Sequence, residues 1–191
     1  MDLSVKPRRW TRAEYERMID AGIFHPDERA ELIGGEIIAV APQKSLHATA
    51  VSLAHGTLEI AFGAEYHVRV QLPLALDPDS EPEPDVAVVP GSPRDYLHAH
   101  PSTSLLVVEA SETTLALDRN VKGSLYARGG LADYWIVNLI DRVLEVCRDP
   151  AVDPAAKYGW AYRTVECLGP EAVVSPLAAP GARIVVADLL P

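Results

Sequence analysis

Apolar and polar positions along this chain change period several times, and each change marks an element. Thr11 with Glu14 three residues on makes a capping box, and Trp10 and Tyr15 stand at the flanking staple positions. A helix is expected from about residue 11 to Ala21, stopped by Gly22. In AELIGGEIIAV two β-prone runs flank Gly34-Gly35, a strong two-residue hairpin signal. In that register Ile33 opposes Glu36, and Glu31 and Glu36 project from one face. Leu46, Ala50, Leu53, Ala54, Leu58 and Ala61 recur at helical spacing, with His47, Val51 and His55 on another stripe. EYHVRVQLPLAL then alternates, with Tyr66, Val68, Val70, Leu72, Leu74 and Leu76 facing one way, which predicts a half-buried strand. Residues 86–89 and 105–109 are short and uniformly apolar, as central strands are. Leu117, Val121 and Leu125 predict a helix ended at Gly129-Gly130. DYWIVN is the next strand, a turn over 139–142 leads to VLEVC, and further strands are expected over 160–166, 173–175 and 184–186. The core order is helix, three strands, helix, strand. The expected fold class is α/β, a mixed sheet flanked by helices, with an N-terminal hairpin and C-terminal strands.

Length and composition bound this picture without changing it. A chain of 191 residues suits one domain, here 1–191, and 48% hydrophobic residues is an ordinary globular share. No apolar run reaches membrane-spanning length, and MDLSVKPRRW lacks a signal-peptide core. A soluble cytoplasmic protein is expected, with no membrane partner. Cys147 and Cys167 form no paired metal motif and are expected as buried apolar packers. The formal net charge of -10 argues against a passive nucleic-acid coat, which is normally basic. It does not exclude a nuclease, whose acidic groups are offset by cations. Arg8, Arg9 and Arg12 cluster near the start, where a solvated terminus accounts for them equally well.

Three stretches carry candidate chemistry. EPDVAVV places Asp85 where a Pro-rich acidic loop meets an apolar strand, LLVVEAS places Glu109 near the end of a second apolar run, and LDRNVKGSLY places Lys122 in a helix-like segment. Carboxylates at strand ends can hold a hard divalent cation, and a nearby ammonium can stabilise a developing phosphorane charge or orient a water. That is the minimum equipment for metal-assisted phosphodiester cleavage. The spacing alone is weak, since Asp and Glu supply 27 of 191 residues. The acids gain weight because they border strand-like runs, where a charge is costly and usually has a partner or a task.

The order of elements, together with ELIGGEII, APQKSLH, EPDVAVV, LVVEAS and DRNVKGSLYARGGLADYWIVN, resembles the PD-(D/E)xK nuclease superfamily. More narrowly it resembles the Uma-two family of restriction-endonuclease-like proteins, over about residues 10–148. The resemblance implies a restriction-endonuclease-like fold and a divalent-metal-dependent endonuclease acting on DNA, with Mg²⁺ or Mn²⁺ as cofactor and a homodimer as the candidate assembly. It implies Asp85 and Glu109 as metal ligands, with the Ala110 carbonyl. Ser111 stands two after Glu109, where the superfamily's lysine is expected, and Lys122 on the next helix takes that role. Tyr126 and Ser111 are implied to support the site. Glu31 matches an acidic position before the hairpin turn, and His47 a histidine opening the long helix. Ala30 stands where an aromatic is frequent, and Asn138 where an Asp is frequent.

Plainer readings stand beside these. Lys122 has Asp118 four before and Tyr126 four after it, so a surface ion pair on one helical stripe is the bland account. Glu31 and Glu36 can be solvated hairpin charges; Asp77, Asp79, Glu81 and Glu83 read as a solvated loop. His47 and His55 fit a helix face better than zinc ligation, His98 and His100 lie in a loop with no partner in view, and Tyr134-Trp135 reads as sheet packing. The rival function is a catalytically silent nuclease fold serving as a nucleic-acid or protein-binding module.

Overall fold

The computed structural model describes residues 6–25, 27–40 and 42–191, so the first residues of MDLSVKPRRW and Ala41 of APQKSLH lie outside the described residues. The first helix, α1, spans Arg12–Asp20, and Thr11 and Glu14 form the expected capping box. Strands β1 (Ala30–Ile33) and β2 (Glu36–Ala39) pair antiparallel with Ile33 opposite Glu36. Gly34 and Gly35 both take positive φ, +56° and +79°, as a two-residue turn of the primed type requires. Helix α2 spans Ser45–Phe62. Six strands follow as one sheet in sequence order: β3 (Tyr66–Val70), β4 (Val86–Pro90), β5 (Leu106–Ser111), β6 (Asp133–Asn138), β7 (Val143–Val152) and β8 (Trp160–Leu168). Only β5 and β6 pair in parallel. Their crossover consists of α3 (Leu115–Leu117), a π turn over Asp118–Lys122 and α4 (Gly123–Arg128). A short ribbon, β9 (Val173–Val174) with β10 (Ile184–Val185), follows the sheet. This is the mixed α/β arrangement that the hydrophobic pattern predicts.

The sheet divides two cores. On one face Val86, Val88, Val108, Trp135 and Val137 pack with Ala50, Val51, Ala54, Leu58 and Phe62 of α2 and with the C-terminal ribbon. On the other Ala87, Val107, Tyr134 and Ile136 pack with Leu125 and Tyr126 of α4 and with Ile33 of the hairpin. Strand alternation assigns the faces: Val107, Glu109 and Ser111 share the α4 side, and Val108 and Ala110 the α2 side. Among the described residues no helix is long and apolar enough to cross a membrane.

Several expectations are corrected. The strand predicted over 66–76 ends at Val70, because Gln71 takes a φ of +50° and turns the chain. Leu74 and Leu76 then bury in the α4-side core, whereas Val68 faces the α2 side, so the continued alternation crosses from one core to the other. On α2 the buried stripe includes Val51 and Phe62, and Leu46 and Leu53 are exposed. Cys167 is exposed on β8, and only Cys147 is buried. His100 does have a neighbour, with Nδ1 3.4 Å from Nη2 of Arg69.

The acidic loop is not a solvated one. Arg128 binds Asp77 at 2.6 Å and Asp79 at 2.8 Å, and the Glu81 amide donates to the Leu32 carbonyl at 2.7 Å. Ser80 and Glu81 are buried. This loop is therefore the seat on which the β1–β2 hairpin rests. Burial, and then the charge of Glu16, push the Glu81 carboxyl up to about 7, against the opposing Arg12 guanidinium 3.9 Å away. A carboxyl raised in the folded state contributes stability that is present below the unfolded value of 4.5 and is lost as pH rises through 7. Urea midpoints of the wild type are expected to fall between pH 5 and 8, and Glu81→Gln is expected to flatten that fall by on the order of 1 kcal/mol. Parallel pH profiles for the two proteins would show Glu81 to be uninvolved.

Candidate active site

The site lies where β4 begins and β5 ends, at the carboxyl end of the parallel β5–β6 pair, the usual place for a crevice in α/β sheets. Asp85 is the last loop residue before β4, and Glu109 sits on β5. The chain brings them together: the Asp85 amide points at Oε2 of Glu109 over 3.4 Å, and the Ala110 amide donates to Oδ2 of Asp85 at 2.9 Å. A cleft of about 310 Å³ opens on both carboxylates, walled by the hairpin's Ile33 and Ile38 and by Leu117.

Glu109 is 3% exposed, and its Oε1 accepts from the Lys122 ammonium at 3.0 Å and from the Tyr126 hydroxyl at 2.8 Å. Lys122 also meets both oxygens of Glu31, at 3.4 Å and 3.3 Å. The Glu31 Oε2 atom is buried with no hydrogen-bond partner beyond that ion pair. The surface-pair account of Lys122 is thereby overturned: the side chain is buried, and its carboxylate partners are Glu31 and Glu109, not Asp118. The reason is local. The Gly123 amide reaches back to the Asp118 carbonyl, making a π turn whose extra residue breaks the i,i+4 stripe. Tyr134 donates a second bond to that carbonyl at 3.0 Å, and Thr114 holds the Asp118 carboxylate at 2.6 Å.

The electrostatics follow from burial. Desolvation raises the Glu109 carboxyl well above its ordinary value, and Lys122 only partly offsets this while Asp85 and Asp118 add to it. Burial likewise raises Glu31, again opposed by Lys122. Burial alone would pull the Lys122 ammonium down, but Glu109, Glu31 and Asp118 outweigh it and hold the pKa above its usual value. Lys122 therefore stays charged at neutral pH. It can donate hydrogen bonds and stabilise negative charge, but it cannot act as a proton-accepting base. Tyr126 is raised far as well, by burial and then by Glu109, so it remains a donor.

The other expected residues fall in different places. His47, in the first turn of α2, puts Nε2 3.0 Å from Oδ2 of Asp85, and its Nδ1 is buried without a partner. Ser111 is buried, and its hydroxyl stands 3.5 Å from that of Thr114, which in turn donates to Asp118. In an extended strand a residue's N–H and C=O leave on the same edge, so the Ala110 carbonyl lies on the Asp85 side. Asn138 organises the β6–β7 turn, accepting from the amides of Ile140 and Asp141 and donating to Glu145. Glu36, on the hairpin face shared with Glu31, is exposed and paired with Arg9 at 3.2 Å. Gln71 was not expected. Its side-chain amide donates to Oδ1 of Asp85 at 3.1 Å, and it lines the cleft. On the polar positions of an alternating run it carries no signal in sequence.

Among the described residues no group of three or more His, Cys, Asp or Glu is arranged to hold a metal ion. The donors that do converge are hard oxygens: two carboxylates and a strand-end carbonyl. That set fits Mg²⁺ or Mn²⁺, which are bound through one or two carboxylates with water and substrate phosphate completing the shell. It lacks the two or more nitrogen or sulfur ligands that protein zinc sites ordinarily supply.

A sequence model of the Uma2 family, described as "Putative restriction endonuclease", matches residues 12–187. A crystal structure from Anabaena variabilis, described as "a putative nuclease belonging to DUF820", superposes with a TM-score of 0.68 at 16% identity, covering 94% of this chain and 97% of that one. At that identity the likeness is one of fold. No match is found among curated proteins.

Proposed function

The chain belongs to the Uma2 family, whose description is "Putative restriction endonuclease", and on that premise we propose that it is a nuclease hydrolysing phosphodiester bonds of DNA with a divalent cation held by Asp85 and Glu109. The observation that carries this reading is the buried Lys122 beside Glu109, itself beside Asp85, at the mouth of a cleft. Desolvation offsets much or all of what a buried lysine gains from two carboxylates, so such a cluster at a crevice is weak evidence for stability and points to chemistry.

Asp85, Glu109 and the Ala110 carbonyl would hold Mg²⁺ or Mn²⁺, which when bound polarises the scissile phosphate and lowers the pKa of water. The remaining roles belong to the protein. Tyr126 and Lys122 fix Oε1 of Glu109, which leaves Oε2 turned toward Asp85. His47 and the Ala110 amide fix Oδ2 of Asp85. Lys122 stays an ammonium and donates either to the attacking water or to the phosphoryl oxygens as charge builds on them. Glu31 holds the lysine from its other side and keeps it aimed.

The test is a panel of supercoiled, linear and single-stranded DNA with Mg²⁺, Mn²⁺ or chelator. Cleavage that requires the cation and is absent from an identically purified Asp85→Asn protein supports the proposal. Cation binding with no cleavage of any substrate would leave a binding module instead.

A further inference from the structure

We infer that Gln71 is a positioning residue of this site, holding the Asp85 carboxylate in its working orientation; the inference rests on the nuclease reading for its role in catalysis but not for its structural claim. Gln71 is one of three non-glycine residues among those described with positive φ, at +50°, with Arg142 and Asp149. Arg142 lies in the β6–β7 turn and Asp149 on β7, whereas Gln71 lines the cleft. A left-handed backbone is costly for a glutamine and free for a glycine, so a residue kept there against its preference points to a task for the side chain.

Backbone and side chain of Gln71 grip the same neighbour. Its amide N–H is shared between the carbonyls of Pro84 and Asp85, each at 3.2 Å. Its side-chain NH₂ donates to Oδ1 of Asp85 at 3.1 Å. His47 and the Ala110 amide occupy the other oxygen, Oδ2. The carboxylate is therefore held at both oxygens, and among the described residues Gln71 supplies the only side-chain bond to Oδ1. Without it the carboxylate is held at Oδ2 alone, by His47 and the Ala110 amide, and its plane can tilt about the terminal bond, which loosens the acceptor of that amide. The left-handed turn is what allows this grip. It ends β3 and swings residue 71 back toward the start of β4 instead of along the strand.

Glycine and alanine separate the two roles. Gln71→Gly removes the side-chain bond and relieves the backbone, and Gln71→Ala removes the bond and keeps the strain. If Gln71 serves only the turn, both variants should keep the wild-type cleavage rate, with alanine about as stable as the wild type and glycine at least as stable. If it positions Asp85, both variants should lose cleavage rate alike, on the order of 10-fold or more at saturating DNA, although glycine melts higher than alanine. A readout independent of activity is the exchange of the Ala110 amide hydrogen, followed by NMR in cation-free protein. It should speed by on the order of 10-fold in both variants, because the acceptor of that amide is then held less firmly. Wild-type exchange of Ala110 in Gln71→Gly would overturn the structural claim. Wild-type cleavage by Gln71→Gly would overturn the catalytic one. A wild-type protein that cleaves nothing would sink the nuclease reading while the Ala110 measurement still decides the role of Gln71.

Discussion

Lys122→Met is expected to lose about 3–5 kcal/mol of folding stability at pH 8, together with cleavage activity. The magnitude follows from position: Lys122 lies 3.0 Å from Glu109 and 3.3 Å from Glu31, and all three are buried. Removing the ammonium leaves two carboxylates in an apolar surround with no compensating charge. Their folded-state pKa values already lie above the ordinary range because of burial, and losing Lys122 raises them further. Stability from such groups is present at low pH and is lost as pH rises, so the deficit of the variant should shrink toward pH 4.5 and be largest in alkali. Denaturant midpoints across pH measure this directly. Because the variant can fail to fold, the double change Lys122→Met with Glu31→Gln serves as its control. It removes one orphaned charge and should recover part of the stability while cleavage stays at least about 10²-fold down. A single variant with unchanged stability would contradict the buried triad, and a stable double variant with full activity would remove Lys122 from the chemistry.

Asp85→Asn should have the opposite profile, with little change in stability and a loss of activity on the order of 10²–10³-fold or more. The Asn side chain can still accept from Ala110, and Gln71 can turn its amide to offer oxygen in place of NH₂. The change also relieves Glu109, whose carboxyl the Asp85 charge pushes up. In chelator the melting temperature should equal or exceed that of the wild type, while Mn²⁺ affinity by titration calorimetry collapses. A variant that binds Mn²⁺ as well as the wild type would remove Asp85 from the ligand set. The two substitutions thus separate a group that holds the fold together from one that the fold tolerates at a cost.

Much of this architecture is legible in the amino-acid order because its signals are local. Thr11 and Glu14 cap a helix through a bond spanning three residues, Gly34-Gly35 fix a hairpin register, and uniformly apolar runs such as VAVV mark strands buried on both faces. Asp85, Glu109 and Lys122 could be picked out because a charge bordering such a run is conspicuous, and the family resemblance told which of many acids to choose. What decided the site came from residues distant in sequence. Glu31 reaches Lys122 across 91 positions only because the hairpin sits on a buried acidic loop that composition made look solvated. His47 meets Asp85 only because α2 covers the sheet face under which β4 begins. Helical spacing offers Asp118 as one partner of Lys122, whereas the π turn that reorients the lysine depends on the Asp118 carbonyl accepting from both Gly123 and Tyr134. Gln71 was invisible for a related reason. Its role depends on a backbone angle, and a φ of +50° at glutamine is imposed by the turn into which tertiary packing forces the chain. Local sequence thus determined which segments became helix and strand, since those preferences act over a few residues. Tertiary structure alone decided which charges share a low-dielectric cleft, since Coulomb and hydrogen-bond terms depend on distance in space, whatever the separation along the chain.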